Sequence, residues 1–111
     1  MRILLDECVP LQIREAMSNH DVSSTQRMGW GGMGNGELMD AAERAGFELF
    51  IVADKNLRYQ QNLSGRKIAI LELWTNHRPT LENHFRDIDA AVARIKPGEY
   101  LVLGKPDKDT H

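Results

Sequence analysis

Two aspartates directly follow largely apolar runs that are typical of buried strands. Asp6 comes after residues 3–5 (Ile-Leu-Leu), and Asp54 comes after residues 47–53 (Phe-Glu-Leu-Phe-Ile-Val-Ala). Apolar runs of this kind suit strands that are buried on both faces of a parallel sheet. Ligands bind at the carboxyl ends of such strands. The sequence therefore predicts that both carboxylates lie at this edge of the sheet, and in one crevice if the two strands are neighbours.

A third acid, Glu37, lies in the first turn of a helix that is predicted to follow a glycine-rich loop. Five of the nine glycines fall between residues 27 and 36, and Asn35 is the predicted N-cap. The helix dipole alone favours an acid in a first turn, so Glu37 has a structural explanation beside the functional one. Glu7, next to Asp6, either joins the acidic cluster or faces water.

Three carboxylates in one crevice repel one another. They are stable together if some are protonated, if a cation pairs with them, or if they bind a metal ion. Oxygen ligands suit Mg²⁺ or Mn²⁺. With such an ion, Asp6, Glu37 and Asp54 would form a site that positions water for in-line attack on a phosphodiester.

The segment after Asp54 is polar and carries groups that suit a nucleic-acid ligand. Asn56 could add a carbonyl oxygen to the metal site. Lys55 and Arg58 carry charges that can hold a phosphate, and Tyr59 offers a ring on which a base can stack. The alternative is a solvated helix face that is anchored by its leucines.

The order of the predicted elements indicates how these residues are positioned. Strands are predicted at 3–5, 21–25, 47–53, 67–73 and 100–103, and helices at 11–19, 36–45, 57–63 and 79–95. Alternating strands and helices predict an α/β fold with a mainly parallel central sheet and helices on both faces. Residues 1–104 form a single predicted domain, and residues 105–111 form a polar tail.

Size and composition narrow the classes of function. The chain has 111 residues and a net charge of −2, so a nucleic-acid partner would need a local basic patch. Its one cysteine, Cys8, cannot form an internal disulfide and is expected to be a small buried apolar residue in a reducing compartment. No run reaches the ~18 apolar residues of a membrane span, and the N-terminus lacks a signal-peptide pattern. A soluble, cytoplasmic protein is expected.

Four segments carry a resemblance to a known family. They are residues 3–10 (Ile-Leu-Leu-Asp-Glu-Cys-Val-Pro), 20–22 (His-Asp-Val), 35–38 (Asn-Gly-Glu-Leu) and 51–57 (Ile-Val-Ala-Asp-Lys-Asn-Leu). Together they resemble the small bacterial PIN-like proteins, which are related to the toxin nucleases of toxin–antitoxin modules. The resemblance extends from residue 1 to about residue 73. It implies a three-layer α/β/α PIN-like fold, an acidic Mg²⁺ site, RNA cleavage and a small antitoxin-like partner.

The chain departs from the usual pattern of that family at two positions. Asn35 and Asn56 stand where the family often has Asp. Neutral side chains weaken the anionic field and so lower the affinity for a metal ion. A non-catalytic PIN-like module that binds a protein is therefore an alternative to the nuclease.

A receiver-like phosphoacceptor domain is a further alternative. Asp6, Asp54, Thr75 and Lys105 follow successive predicted strands in the order that such a domain would need. The glycine-rich loop has no place in that arrangement, and no helix is predicted after Lys105.

The glycine-rich loop also carries two large apolar side chains, Trp30 and Met33. Exposed aromatic residues often anchor interfaces, so these residues predict either a homodimer or a small partner protein bound through the loop. The alternative for Trp30 is an anchor that packs the loop onto its own domain.

Overall fold

Five parallel strands form a single sheet in the computed structural model, which describes residues 1–53 and 66–104. The strands are β1 (Arg2–Leu5), β2 (Asp21–Ser24), β3 (Leu49–Val52), β4 (Ala69–Leu73) and β5 (Tyr100–Leu103). Their order across the sheet is β2-β1-β3-β4-β5, and every neighbouring pair is parallel. The predicted α/β class and parallel sheet are confirmed.

The two strands that precede the aspartates are direct neighbours. In the β1–β3 register Ile3 lies opposite Leu49, and Leu5 lies opposite Ile51. Every residue of β3 and β4 is buried, which explains why these runs do not alternate between apolar and polar residues. The condition under which the two carboxylates would share one crevice, that the first and third strands are neighbours, is therefore met.

Helices cover both faces of the sheet. On the face of Ile3 and Leu5 lie a 3₁₀ helix (Leu11–Met17) and two α-helices, α2 (Arg78–Glu82) and α3 (Phe85–Arg94). On the opposite face α1 (Asn35–Arg44) packs against Leu4. Each fully buried aliphatic side chain contributes about 1.5–3 kcal/mol to folding, so both layers are held mainly by apolar burial.

The segment predicted as one helix over residues 79–95 forms two helices. The helical conformation is interrupted at His84, whose backbone φ of −127° and ψ of 26° lie outside the helical region. Its ring packs edge-on against Trp74, with centroids 5.5 Å apart. Leu81 and Ile88 are both fully buried on either side of this break. Because their spacing fits a continuous helix equally well, the apolar periodicity could not reveal the interruption.

Two other predicted helix boundaries are corrected. Residues 11–17 form a 3₁₀ helix, which ends before the predicted boundary at residue 19. Helix α1 begins at Asn35, so the N-cap position belongs to Gly34 and no side chain caps the helix there. The predicted end at Gly46 is confirmed by the positive φ of 85° at that residue.

Across the described ranges, no helix combines the length and apolar character that crossing a bilayer requires.

Candidate functional site

Asp6 is held at the carboxyl end of β1, an inner strand of the sheet. Its backbone N–H donates to the carbonyl of Ile51 on β3 at 3.0 Å, and its carbonyl accepts from the N–H of Val9 at the same distance. The first contact extends the sheet by one residue and the second closes a turn. Asp6 is half-buried as a result, with its carboxylate at the edge where parallel sheets bind ligands.

The Cys8 thiol is the side chain that contacts this carboxylate. Its S–H donates to Oδ2 of Asp6 at 3.0 Å. Burial, together with this hydrogen bond, raises the pKa of the Cys8 thiol from 9.0 to about 11, and a backbone contact with Ala53 acts in the opposite direction. A thiol with this pKa is protonated at neutral pH, so Cys8 is a hydrogen-bond donor there rather than a nucleophile. It is half-buried, less enclosed than the sequence predicted.

The contacts of Cys8 join the ends of two strands. The thiol lies against both the Asp6 carboxylate and the backbone of Ala53, which is the residue immediately before Asp54. Cys8 and Ala53 also pack against the same apolar cluster. The ends of β1 and β3 therefore meet at one place on the edge of the sheet.

Four predicted site residues besides Asp54 lie outside the described residues. Asp54 itself follows Ala53, the last described residue before this segment, and the others are Lys55, Asn56, Arg58 and Tyr59. Convergence of Asp54 with Asp6, and the proposed contacts of this segment with RNA, stay predictions.

Glu37 is exposed in the first turn of α1. The chain leaves β2 at the carboxyl edge of the sheet and must return to the opposite edge before β3 begins. Helix α1 therefore starts on the same side of the sheet as Asp6. Leu38 and Met39, the next two residues, anchor this turn in the cluster that contains Val52 of β3. Metal ligation by Glu37 stays a prediction. The start of α1 near the edge of the sheet that carries Asp6 is compatible with it.

A carboxylate that sequence reasoning missed lies inside β4. Glu72 is 1% exposed and lies opposite Val52 in the β3–β4 register. Its Oε1 accepts a hydrogen bond from the Tyr100 hydroxyl at 2.7 Å. Because Ile68 and Ile70 belong to the cluster under α1, alternation along β4 places Glu72 on that same face. The signal was a single acid within an otherwise apolar run, since buried acids are rare unless paired.

Thr25 is a second missed residue near Asp6. Its backbone N–H donates to the carbonyl of Leu5 at 3.0 Å, so it continues β2 alongside the end of β1. Thr25 is buried, and its hydroxyl has no hydrogen-bond partner in the described part of the chain. The sequence predicted Thr25 as the end of a strand, but nothing in it indicated that the hydroxyl would be buried beside Asp6.

The two apolar loop residues differ in their environment. Trp30 is partly buried and packs edge-on against Phe47, with ring centroids 6.0 Å apart. It therefore anchors the glycine-rich loop to the domain, as the alternative interpretation expected. Met33 is 38% exposed. Of the two residues, Met33 is the more exposed, and an interface contact through this loop stays a prediction.

The described surroundings of Asp6 offer its carboxylate a hydrogen-bond donor but no ion pair. Its half-buried carboxylate accepts a hydrogen bond from a neutral thiol, and no Lys, Arg or His within residues 1–53 and 66–104 forms an ion pair with it. Among the described residues, no three His, Cys, Asp or Glu side chains lie close enough to hold a metal ion. Two of the four predicted ligands, Asp54 and Asn56, belong to the segment that is not described.

Comparisons of the chain with protein-family models, with curated proteins and with solved structures gave no match. The resemblance to PIN-like proteins therefore depends on the motifs of the sequence alone.

Proposed function

We propose that this protein is a metal-dependent ribonuclease of PIN-like type. The proposal depends chiefly on one observation, the pairing of the ends of β1 and β3, where the N–H of Asp6 donates to the carbonyl of Ile51 at 3.0 Å. Because Asp54 is the next residue after Ala53, this adjacency supports a shared site for the two aspartates. RNA as the substrate, and a small antitoxin-like protein as a partner, come from the family resemblance.

The residues of the chain have distinct roles in this proposal. Asp6 and Asp54 hold Mg²⁺ or Mn²⁺, and Asn56 adds a neutral oxygen. Glu37 either completes the ligand set or accepts a hydrogen bond from the attacking water and so orients it. The ion supplies positive charge that stabilises the attacked phosphate and activates the water. The Cys8 S–H donates to Oδ2 of Asp6 from within the same turn and so helps to orient this carboxylate.

The test is cleavage of varied single-stranded RNAs with Mg²⁺ or Mn²⁺ by the wild-type protein and by Asp6→Asn. We expect Asp6→Asn to lower the rate at least about a hundredfold, since removing even an outer-shell partner typically costs about 10–100-fold. Asp89→Asn is the matched control, because it makes the same chemical change at an exposed position of α3. It should cleave like wild type. Asn56→Asp should keep or raise activity, since it adds a charge to the metal site.

The alternative function is a non-catalytic module that binds a protein partner. Asn35 and Asn56, which replace acids that the family often has, favour it. Calorimetry with Mg²⁺ and Mn²⁺ separates the two functions. If the wild-type protein cleaves none of the RNAs and binds neither metal at millimolar concentration, the ribonuclease proposal fails and the binding module replaces it.

A further inference from the structure

One asparagine of the chain is followed directly by a glycine, and this pair lies at the start of α1. Of all the asparagines in the sequence, only Asn35 precedes a glycine, which is Gly36. An asparagine carboxamide can react with the backbone nitrogen of the next residue, because the two groups close a five-membered ring. A glycine in the second position has no side chain that would hinder the closure. The pair is therefore a candidate site of covalent modification without an enzyme.

The helix leaves the backbone nitrogen of Gly36 free to react. The first hydrogen bond of α1 runs from the N–H of Leu38 to the carbonyl of Gly34, at 2.9 Å. The N–H groups before this point in a helix have no intrahelical acceptor. Within residues 1–53 and 66–104, the N–H of Gly36 has no hydrogen-bond acceptor. Attack by this nitrogen on the neighbouring carboxamide therefore breaks no hydrogen bond of its own.

The chain before Asn35 leaves room for the ring to close. Residues 31–34 are exposed, and a Cβ added at Gly32 or Gly34 would meet no atom within 4 Å. Gly34 is extended, with φ −64° and ψ 155°, so Asn35 is the first helical residue. Ring closure needs a rotation between Asn35 and Gly36 away from the helical conformation. Such a rotation costs least at the end of a helix, where local opening is easiest.

Three other asparagines in the described part of the chain lack this free nitrogen. They are Asn19, Asn76 and Asn83, and all three are exposed. The N–H groups of the residues after Asn19 and Asn83 each donate to a backbone carbonyl at 2.9 Å. The N–H after Asn76 donates to the Thr75 hydroxyl at 3.1 Å. Each of the three is also followed by a histidine, whose side chain hinders ring closure.

We infer that Asn35 deamidates spontaneously in the folded protein, to a mixture of aspartate and isoaspartate. The nitrogen of Gly36 loses its proton to solvent base and attacks the side-chain carbonyl carbon of Asn35. A C–N bond forms, and the side-chain nitrogen takes up a proton and leaves as ammonia. Water then opens the resulting succinimide. Addition at the side-chain carbonyl gives aspartate, addition at the backbone carbonyl gives isoaspartate, and the net change is one water consumed and one ammonia released.

The product carries a new negative charge in the first turn of α1. The formal net charge of the chain changes by one unit, from −2 to −3. An aspartate at this position interacts favourably with the helix dipole. The isoaspartate instead lengthens the main chain by one methylene group before Gly36. Deamidation therefore changes the charge or the geometry of the turn that carries Glu37.

The test is the rate of deamidation of the full chain in a mildly alkaline buffer, followed over days. Peptide mass spectrometry assigns the modified residue, and ion exchange separates the more acidic protein. We expect Asn35 to react at least about tenfold faster than the three other described asparagines, a factor that corresponds to about 1.4 kcal/mol in the activation barrier. Asn35→Asp marks the elution position of a chain with one added negative charge.

Two variants change the reacting pair, and a third is the matched control. Gly36→Ala adds a Cβ that hinders ring closure and should slow the reaction at Asn35 at least about tenfold. Asn35→Gln places the carboxamide on a longer side chain, whose ring closes far less readily, and should abolish the modification at this position. Gly34→Ala makes the glycine substitution two residues earlier, where the added Cβ meets no atom within 4 Å, and should react like wild type. Circular dichroism confirms that each variant is folded.

The denatured chain is the reference for the folded one. The folded protein should keep at least about a tenth of the rate that Asn35 has in guanidinium chloride, and a slower rate would show that α1 protects the pair. That result would overturn the proposal. Equal rates at all four asparagines, or a wild-type rate in Gly36→Ala, would overturn it as well. None of these outcomes depends on metal binding or RNA cleavage, so the ribonuclease proposal is tested separately.

Discussion

Gly98→Ala should destabilise the protein more than the same substitution at Gly29. Both glycines have a φ of +76°, which side chains of L-residues rarely adopt. A Cβ at Gly98 would lie 2.9 Å from the backbone oxygen of Arg66, whereas a Cβ at Gly29 would have no atom within 4 Å. The pair therefore separates the cost of the backbone conformation from the cost of the steric contact.

The magnitudes follow from these two costs. A left-handed conformation costs an L-residue about 1–2 kcal/mol, and this applies at both positions. A contact of 2.9 Å with a backbone oxygen forces the main chain to move, and overpacking of this kind costs about 1–3 kcal/mol more. The N–H of Gly98 also donates to the carbonyl of Lys67 at 2.9 Å, so movement there disturbs the start of β4. We expect about 1–2 kcal/mol for Gly29→Ala and about 2–5 kcal/mol for Gly98→Ala.

The assay is urea unfolding followed by tryptophan fluorescence, with thermal unfolding by circular dichroism as a second measurement. Each kcal/mol lowers Tm by about 4 °C in a domain of this size. Equal slopes in urea would show that the variants unfold from comparable native states. If Gly98→Ala is no less stable than Gly29→Ala, the steric reasoning is wrong.

Two further predictions concern the hydrogen bonds that Asp6 and Glu72 accept from Cys8 and Tyr100. The pKa of the Cys8 thiol is raised from 9.0 to about 11 by burial and by Asp6, so the thiol stabilises the fold below pH 9 and loses this contribution as the pH rises toward 11. Iodoacetamide should therefore alkylate Cys8 of the folded protein with a pH midpoint near 11. Asp6→Asn should lower this midpoint only in part, because the burial of the thiol remains. A wild-type midpoint near 9 would contradict the raised pKa of Cys8. Tyr100→Phe removes a donor from the buried Glu72 carboxylate and should cost about 1–3 kcal/mol in urea unfolding. A double-mutant cycle with Glu72→Gln should give a coupling above about 0.5 kcal/mol, whereas additive effects would show that this hydrogen bond does not contribute.

The sequence determined the class of fold because its signals are local. Unbroken apolar runs indicated buried strands, and their alternation with amphipathic helices indicated a parallel sheet. Asp6 and Asp54 can be recognised because each charged residue directly follows an apolar run. This pattern places Asp6 at the end of a strand, whatever the order of the strands in the sheet. The turn at Gly46 was equally readable, because few residues other than glycine adopt its φ of 85°.

Only the tertiary structure decided which strands are neighbours and what surrounds each polar group. Pairing of β1 with β3 joins residues more than 40 positions apart, and no local pattern encodes that choice. The same holds for the Glu72–Tyr100 hydrogen bond between β4 and β5. The Cys8–Asp6 contact is short in sequence, yet it depends on the turn that the sheet imposes after β1. Local periodicity reports which face of an element is apolar, whereas packing alone determines what that face meets.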